Sequence, residues 1–161
     1  MRPIVLATDG SDAAQAATHE AIELASALEA PLVVVTAWQI PVTQFGGYGM
    51  MAIPDLDAVE QGLAERVNRE AAEEAFAAGV TVESVVERDF PAEVICRVAR
   101  ERDARLVVLG THGWGPVRRM VFGSVSSSVL HHAPCPVLVA HAAARETETA
   151  GVARSGAKVP A

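Results

Sequence analysis

The residues best placed to do chemistry are Gly110-Thr111-His112-Gly113 and, after nine further residues, Gly123-Ser124. Two glycines three positions apart, directly after an apolar run, let a backbone approach an anion closely because no Cβ stands in the way. Gly123-Ser124 opens a helical stretch, where unpaired amides and the helix dipole favour phosphate, and Ser124 and Ser126 add hydroxyls. Glycine turns also serve as plain strand exits. The pairing of the two segments on both sides of one loop strengthens the phosphate-binding reading beside that one. Other phosphate motifs do not fit. A P-loop needs Gly-Lys-Ser/Thr, and the single lysine of the chain is Lys158. Gly113-Trp114-Gly115 begins a Gly-x-Gly pattern, but Arg118 occupies the third glycine position, so a dinucleotide fingerprint is weak.

The remaining candidates each carry two readings. Asp9, after the first apolar run, is either a site carboxylate or the cap of the following helix. Arg118 and Arg119 either match phosphate oxygens or are solvated loop residues. His131 and His132 point about 100° apart on a helix and do not chelate one metal. Ser126-Ser127-Ser128 have structural reasons to stand at a helix start as well as phosphate-accepting chemistry. Trp38 and Trp114 either cover a base or pack in the core or at an interface. Cys96 and Cys135 lack metal or redox spacing and read as two buried thiols.

Hydrophobic periodicity supplies the elements that must position these groups. Ile4-Val5-Leu6-Ala7 is a short, fully apolar strand, as expected where both faces are covered. A helix follows over 13–28, with Ala17, Ala21, Leu24, Ala25 and Leu28 inward. Pro31 stops it, and a second strand runs from Leu32 to Trp38. Residues 39–54 contain Pro41, Gly46, Gly47, Gly49 and Pro54, which predicts a long loop of the functional or mobile kind. A second helix is expected over 55–78, with Val59, Leu63, Val67, Ala71 and Ala75 inward and Gly79 at its end. Val80 to Glu87 alternates as a strand near a sheet edge. Pro91 opens a third helix with Val94, Ile95, Val98 and Ala99 inward. Leu106 to Leu109 is a fourth strand, Gly123 to His132 a fourth helix, and Pro136 to Ala140 a fifth strand. Residues 142–161 have no apolar period and are expected to be disordered.

Strands alternating with helices predict an α/β fold: one domain over residues 1–141, a doubly wound five-stranded parallel sheet with helices on both faces, Rossmann-like. Ligands of such sheets bind beyond the carboxyl ends of the strands, near the point where strand order reverses. The turns after Ala7, Ala37 and Leu109 are therefore the expected site.

Composition narrows the partners. The chain has 161 residues, 20 acidic against 13 basic, a net charge of −7 and 4% aromatics. That balance argues against a nucleic-acid surface, which needs clustered Lys and Arg or stacking platforms. No apolar run approaches a membrane span, and Met1-Arg2-Pro3-Ile4 enters the first strand without a cleavage site, so a cytoplasmic protein is expected. The acidity is uneven. From Ala104 to Arg145 there is no Asp or Glu but four arginines, which leaves nine basic and 20 acidic residues elsewhere. The stretch expected to meet phosphate is the one spared carboxylates.

Over residues 2–141 the sequence resembles the universal stress protein family. The resemblance rests on Ile4-Val5-Leu6-Ala7-Thr8-Asp9-Gly10-Ser11, on Gly110-x2-Gly113-x9-Gly123-Ser124, and on Ala133-Pro134-Cys135-Pro136-Val137-Leu138-Val139. The middle motif marks the ATP-binding branch, whose fold is of the adenine-nucleotide alpha-hydrolase kind. By resemblance, Asp9 lies beside the nucleoside, with Ala7 and Thr8 in the same turn. Ala37 matches the position whose backbone contacts adenine, although the family often carries valine there. Gly110, Thr111, Gly113, Gly123, Ser124, Val125 and Ser126 match the ribose- and phosphate-binding segment. Arg105 stands where many members have Asp.

The resemblance implies an adenine-nucleotide-binding regulatory protein of the stress response. Its ligand would be ATP with Mg²⁺, with AMP or cyclic AMP as alternatives. It would act as a homodimer through 136–140 and signal to a regulatory partner that the sequence does not name. Two alternatives stay open: a slow ATPase or phosphotransferase, for which His112 is the only nearby base, and a nucleotide-free dimeric scaffold. The Ser-Gly-Gly-x-Asp-Ser turn of enzymes that cleave between α- and β-phosphates is not matched by Thr8-Asp9-Gly10-Ser11. No catalytic residue and no metal ligand is assigned.

Overall fold

The computed structural model describes residues 1–39, 56–111 and 123–141. Its elements run β1 (Ile4–Ala7), α1 (Asp12–Ala27), β2 (Leu32–Trp38), α2 (Leu56–Ala77), β3 (Val82–Arg88), α3 (Pro91–Glu101), β4 (Leu106–Gly110), α4 (Ser124–His132) and β5 (Val137–Ala140). The five strands form one parallel sheet in the order β3-β2-β1-β4-β5. The chain winds outward from β1 to one edge, then returns to β4 and winds to the other. Strand order therefore reverses between β1 and β4, which is where such sheets open a crevice.

The alternation of side chains along each strand builds two cores. Ile4 and Leu6 of β1, with Leu32 and Val34 of β2, face α1 and α2. Val5, Ala7, Val33 and Val35 face α3 and α4. Ile4, Val5 and Leu6 have no exposed surface, so β1 is covered on both faces, as its uninterrupted apolar run requires.

Two inward stripes differ from the sequence expectation. In α2 the buried residues are Ala64, Asn68, Ala71 and Ala75, whereas Val59 and Leu63 are exposed and Val67 is half-buried. A strict four-residue step advances about 40° beyond one turn each time, so a long run of such steps spirals off the buried face; the observed stripe alternates steps of three and four. In α1, Ala17, Ala21 and Ala25 are buried, but Leu28 caps the C-terminus and is exposed. Strand and helix limits otherwise fall within about two residues of those expected. β3 is an edge strand, as its alternation predicts. The expected loop over 39–54 and the expected tail over 142–161 lie outside the described residues, apart from Gln39.

The two sheet edges differ in chemistry. Glu83 and Glu87 of β3 pair with Arg102 and Arg97, and Arg88 pairs with Asp57. β5 carries only Val137, Leu138, Val139 and Ala140, three of them half-buried. Among the described residues, no helix is long and apolar enough to cross a membrane.

Candidate functional site

The C-terminal ends of β1, β2 and β4 meet the N-termini of α1 and α4 at the point of reversal. β1 ends at Ala7, which pairs with Val35, while β2 continues to Trp38. Peptide groups alternate sides along a strand. Leu32 donates to Thr81 O on the β3 side at 2.9 Å, and Val35 O accepts from Thr8 N on the β1 side at 3.0 Å. Ala37, two residues past Val35, therefore turns its N–H and C=O toward the space beyond the end of β1. One donor and one acceptor of the main chain face the crevice there.

The turn after β1 is held by its own side chains. Thr8 Oγ1 accepts from Gly10 N at 3.3 Å, and Asp9 Oδ1 accepts from Ser11 N at 3.0 Å. Ser11, not Asp9, caps α1: its hydroxyl accepts from Ala14 N at 3.3 Å. Asp9 is therefore not the cap of α1: its carboxylate forms an Asx turn, and the residue is exposed while Thr8 is buried. Gly10 has φ +78°, and a Cβ there would lie 2.9 Å from Val67 Cγ2 of α2. The turn thus needs glycine both for its backbone and for its neighbour.

Gly110 is required for a different reason. A Cβ on it would stand 2.6 Å from the carbonyl carbon and 2.7 Å from the carbonyl oxygen of Ala13. The exit of β4 and the first turn of α1 are therefore in backbone contact. Thr111 N donates to Ala140 O at 3.0 Å, and Gly123 N donates to Thr111 O at 2.9 Å. The second bond joins the two ends of segment 112–122, so Gly110-Thr111 and Gly123-Ser124 are neighbours in space. Buried Ser126 reinforces the junction by donating its hydroxyl to Gly110 O at 2.8 Å. Its proton is spent on the backbone rather than offered to a ligand.

At α4, Gly123 is an extended N-cap without a side-chain cap bond, and the first helical bond runs from Ser127 N to Gly123 O at 2.9 Å. The amides of Ser124, Val125 and Ser126 have no helical acceptor. α1, α2 and α3 each place an acidic residue in the first turn, namely Asp12, Asp57 and Glu93, but α4 has none. The positive end of its dipole is left for an anion from outside the helix.

Ala7, Thr8, Asp9, Ala37, Gly110, Thr111, Gly123, Ser124, Val125 and Ser126 thus gather at one end of the sheet. Gly113, His112, Trp114, Arg118 and Arg119 lie outside the described residues. The two cysteines stand apart from this end. Cys96 is buried and Cys135 half-buried, which corrects the expectation of two buried thiols. Burial pushes both thiols above their ordinary range, which disfavours the thiolate. His131 and His132 have ring centroids 6.4 Å apart, and His132 Nδ1 is engaged at 2.8 Å by Ser128 O. Among the described residues, no three metal-ligating side chains cluster.

Sequence reasoning passed over two contributors. Asn68, 2% exposed, donates its amide to Val34 O, Thr36 Oγ1 and Val85 O at 3.0, 3.3 and 3.1 Å, stitching α2 to β2 and β3. A polar residue interrupting the 64/68/71/75 stripe was the available signal. Arg88 lies with its guanidinium carbon 5.4 Å from the Trp38 ring centroid and pairs with Asp57 at 2.9 Å. No local pattern announces it, because the Trp38–Arg88 pairing is a matter of strand register.

The family model of the universal stress protein family matches residues 1–141. A universal stress protein of Mycobacterium tuberculosis is 37% identical over 139 residues, covering 86% of this chain and 45% of that one. The chain spans about half the length of the curated relatives it matches first. Among solved structures, the universal stress protein of Archaeoglobus fulgidus in complex with dAMP is 29% identical, with a TM-score of 0.63 over 87% of this chain and 98% of that one. A universal stress protein in complex with cAMP is 28% identical, with a TM-score of 0.65 over 88% and 97%. Motifs, strand order and these likenesses agree: the chain belongs to the universal stress protein family.

Proposed function

We propose that this chain binds an adenine nucleotide, ATP first and AMP or cyclic AMP as alternatives, across the ends of β1, β2 and β4. The observation that carries the reading is the junction of Gly110-Thr111 with the open amides of Ser124, Val125 and Ser126. These amides would take phosphate oxygens. The main-chain donor and acceptor of Ala37 would meet the adenine edge, with Asp9 beside the ribose. Relatives crystallised with dAMP and cAMP support the same class of ligand. Mg²⁺ takes most of its ligands from phosphate and water, so it needs no three-carboxylate cluster here.

The protein would work as a cytoplasmic regulatory module of the stress response, signalling through its nucleotide-bound state, and as a homodimer through β5. The outward N–H groups of β5 are those of Val137 and Val139, since Thr111 and Val107 already bond Ala140 O and Pro136 O on the inner side. Val139→Pro should therefore leave a monomer in sedimentation while keeping the β4–β5 bonds. Isothermal titration with ATP, AMP and cyclic AMP tests the ligand. Binding by none of the three at millimolar concentration rejects the proposal, and nucleotide in extracts of freshly purified protein supports it.

A further inference from the structure

Arg88 sits at the far end of the last rung between β2 and β3, in register with Trp38. Thr36 presents its hydroxyl to Asn68 on the α2 side of the sheet, and Trp38, two residues on, shares that face. There the Arg88 guanidinium covers the Trp38 ring at 5.4 Å and bonds Asp57 Oδ2 in the first turn of α2 at 2.9 Å. One side chain thus ties together the exit of β2, the exit of β3 and the start of α2.

Among the described strands, β1 ends at Ala7, opposite Val35, and beyond that point β2 pairs with β3 alone. A strand end paired on one side frays more readily than one paired on both. The carbonyl of Ala37 and the N–H of Trp38 share one planar peptide. Holding Trp38 against Arg88 therefore fixes the direction in which Ala37 C=O faces the crevice.

We infer that Arg88, acting through Trp38 and Asp57, is a positioning residue for the base end of the nucleotide site. It touches no ligand; it keeps the Ala37 peptide edge in place for the adenine. The inference rests on the adenine-nucleotide reading above and deepens it. The ion pair is about half exposed on both partners, at 55% and 52%, and the ring contact is peripheral. Together such contacts account for an effect of about three- to tenfold on affinity rather than for abolition.

The experiment titrates the wild type, Arg88→Ala, Arg88→Lys and Asp57→Asn with ATP, AMP and inorganic tripolyphosphate, alongside thermal melts of each. Arg88→Ala should weaken ATP and AMP by the same factor, about three- to tenfold, and leave tripolyphosphate unchanged, since the phosphate end lies on β4 and α4. Arg88→Lys should recover part of the loss, and Asp57→Asn should lose less than Arg88→Ala. A purely structural role would weaken tripolyphosphate in step with the nucleotides, and that result overturns the inference. So does wild-type affinity for ATP and AMP in Arg88→Ala. A wild type that binds neither nucleotide overturns the function proposed above, and this inference with it.

Discussion

Gly110→Ala tests the contact on which the site geometry depends. The added methyl would lie 2.6 and 2.7 Å from the carbonyl carbon and oxygen of Ala13, and 2.9 Å from its Cβ. Carbon atoms rest at about 3.5–4.0 Å, so the exit of β4 and the first turn of α1 must part by roughly 1 Å. Neither side yields cheaply. Ala13 is backbone in a turn capped by Ser11, and Gly110 is bonded through its carbonyl to Ser126. Overpacking of this kind costs about 1–3 kcal/mol. At about 2–4 °C per kcal/mol for a chain of this size, the melting midpoint should fall by roughly 2–12 °C. Gly62 supplies the control, because it is exposed within α2 and a Cβ there meets nothing within 4 Å. Gly62→Ala should gain up to about 1 kcal/mol from helix propensity. The same chemical change is thus expected to have opposite signs at two positions. Scanning fluorimetry of both variants, with and without ATP, reads the difference, and Gly110→Ala should also weaken the ATP-dependent shift. A Gly110→Ala protein that melts at or above the wild type and titrates normally would refute the close approach and the site built on it.

Two further outcomes follow from contacts elsewhere. Asn68→Leu keeps the number and branching of the side-chain heavy atoms but removes the bonds to Val34 O, Val85 O and the buried Thr36 hydroxyl. It should lower the urea midpoint by an amount equivalent to about 1–3 kcal/mol at unchanged slope, and an unaltered midpoint would show that the bridge contributes nothing. The Arg102 hydrogen bond, aided by its charge, holds Glu83 below its ordinary 4.5. A depressed folded-state value gives stabilisation that is complete above the unfolded value and is lost as pH falls through the folded one. Glu83→Gln should therefore flatten the acid limb of stability below about pH 4.5, while a limb identical to wild type would remove this pair as a contributor.

Much of the fold was legible because its signals are local. Runs such as Ile4 to Ala7 and Leu106 to Leu109 have no polar position, which only a strand covered on both faces tolerates. Pro91 and Gly123 mark helix starts by their own backbone chemistry. The α2 stripe was misread because evenly spaced apolar residues look periodic at a four-residue step, whereas the helix selects the 3.6-residue one and buries Asn68 in place of Val67. At the candidate site, the meeting of Gly110-Thr111 with Gly123-Ser124 could be read from spacing. The role of Ser126 could not, because its proton is claimed by Gly110 O across a junction that exists only after folding. The cap of α1 is of the same kind: Asp9 suits it by residue type, but the folded turn gives the cap to Ser11 and leaves Asp9 closing an Asx turn.

The contrast between the two sheet edges bears on assembly. An edge strand offers unpaired N–H and C=O groups to any extended neighbour, and charge is a usual means of discouraging that. On β3, Glu83, Glu87 and Arg88 are each anchored to a partner on α3, at its C-cap or on α2, so seating another strand there would have to accommodate fixed ions beside the new ladder. β5 has no charged residue between Val137 and Ala140, and its Val137, Leu138 and Val139 remain only half-buried in the single chain. Pairing through β5 would cover both its apolar side chains and its outward amides, whereas pairing through β3 would bury ions. The asymmetry of the edges thus supports β5 as the face for a second copy. The proposed nucleotide site, at the ends of the strands rather than along an edge, would stay open in such a pair.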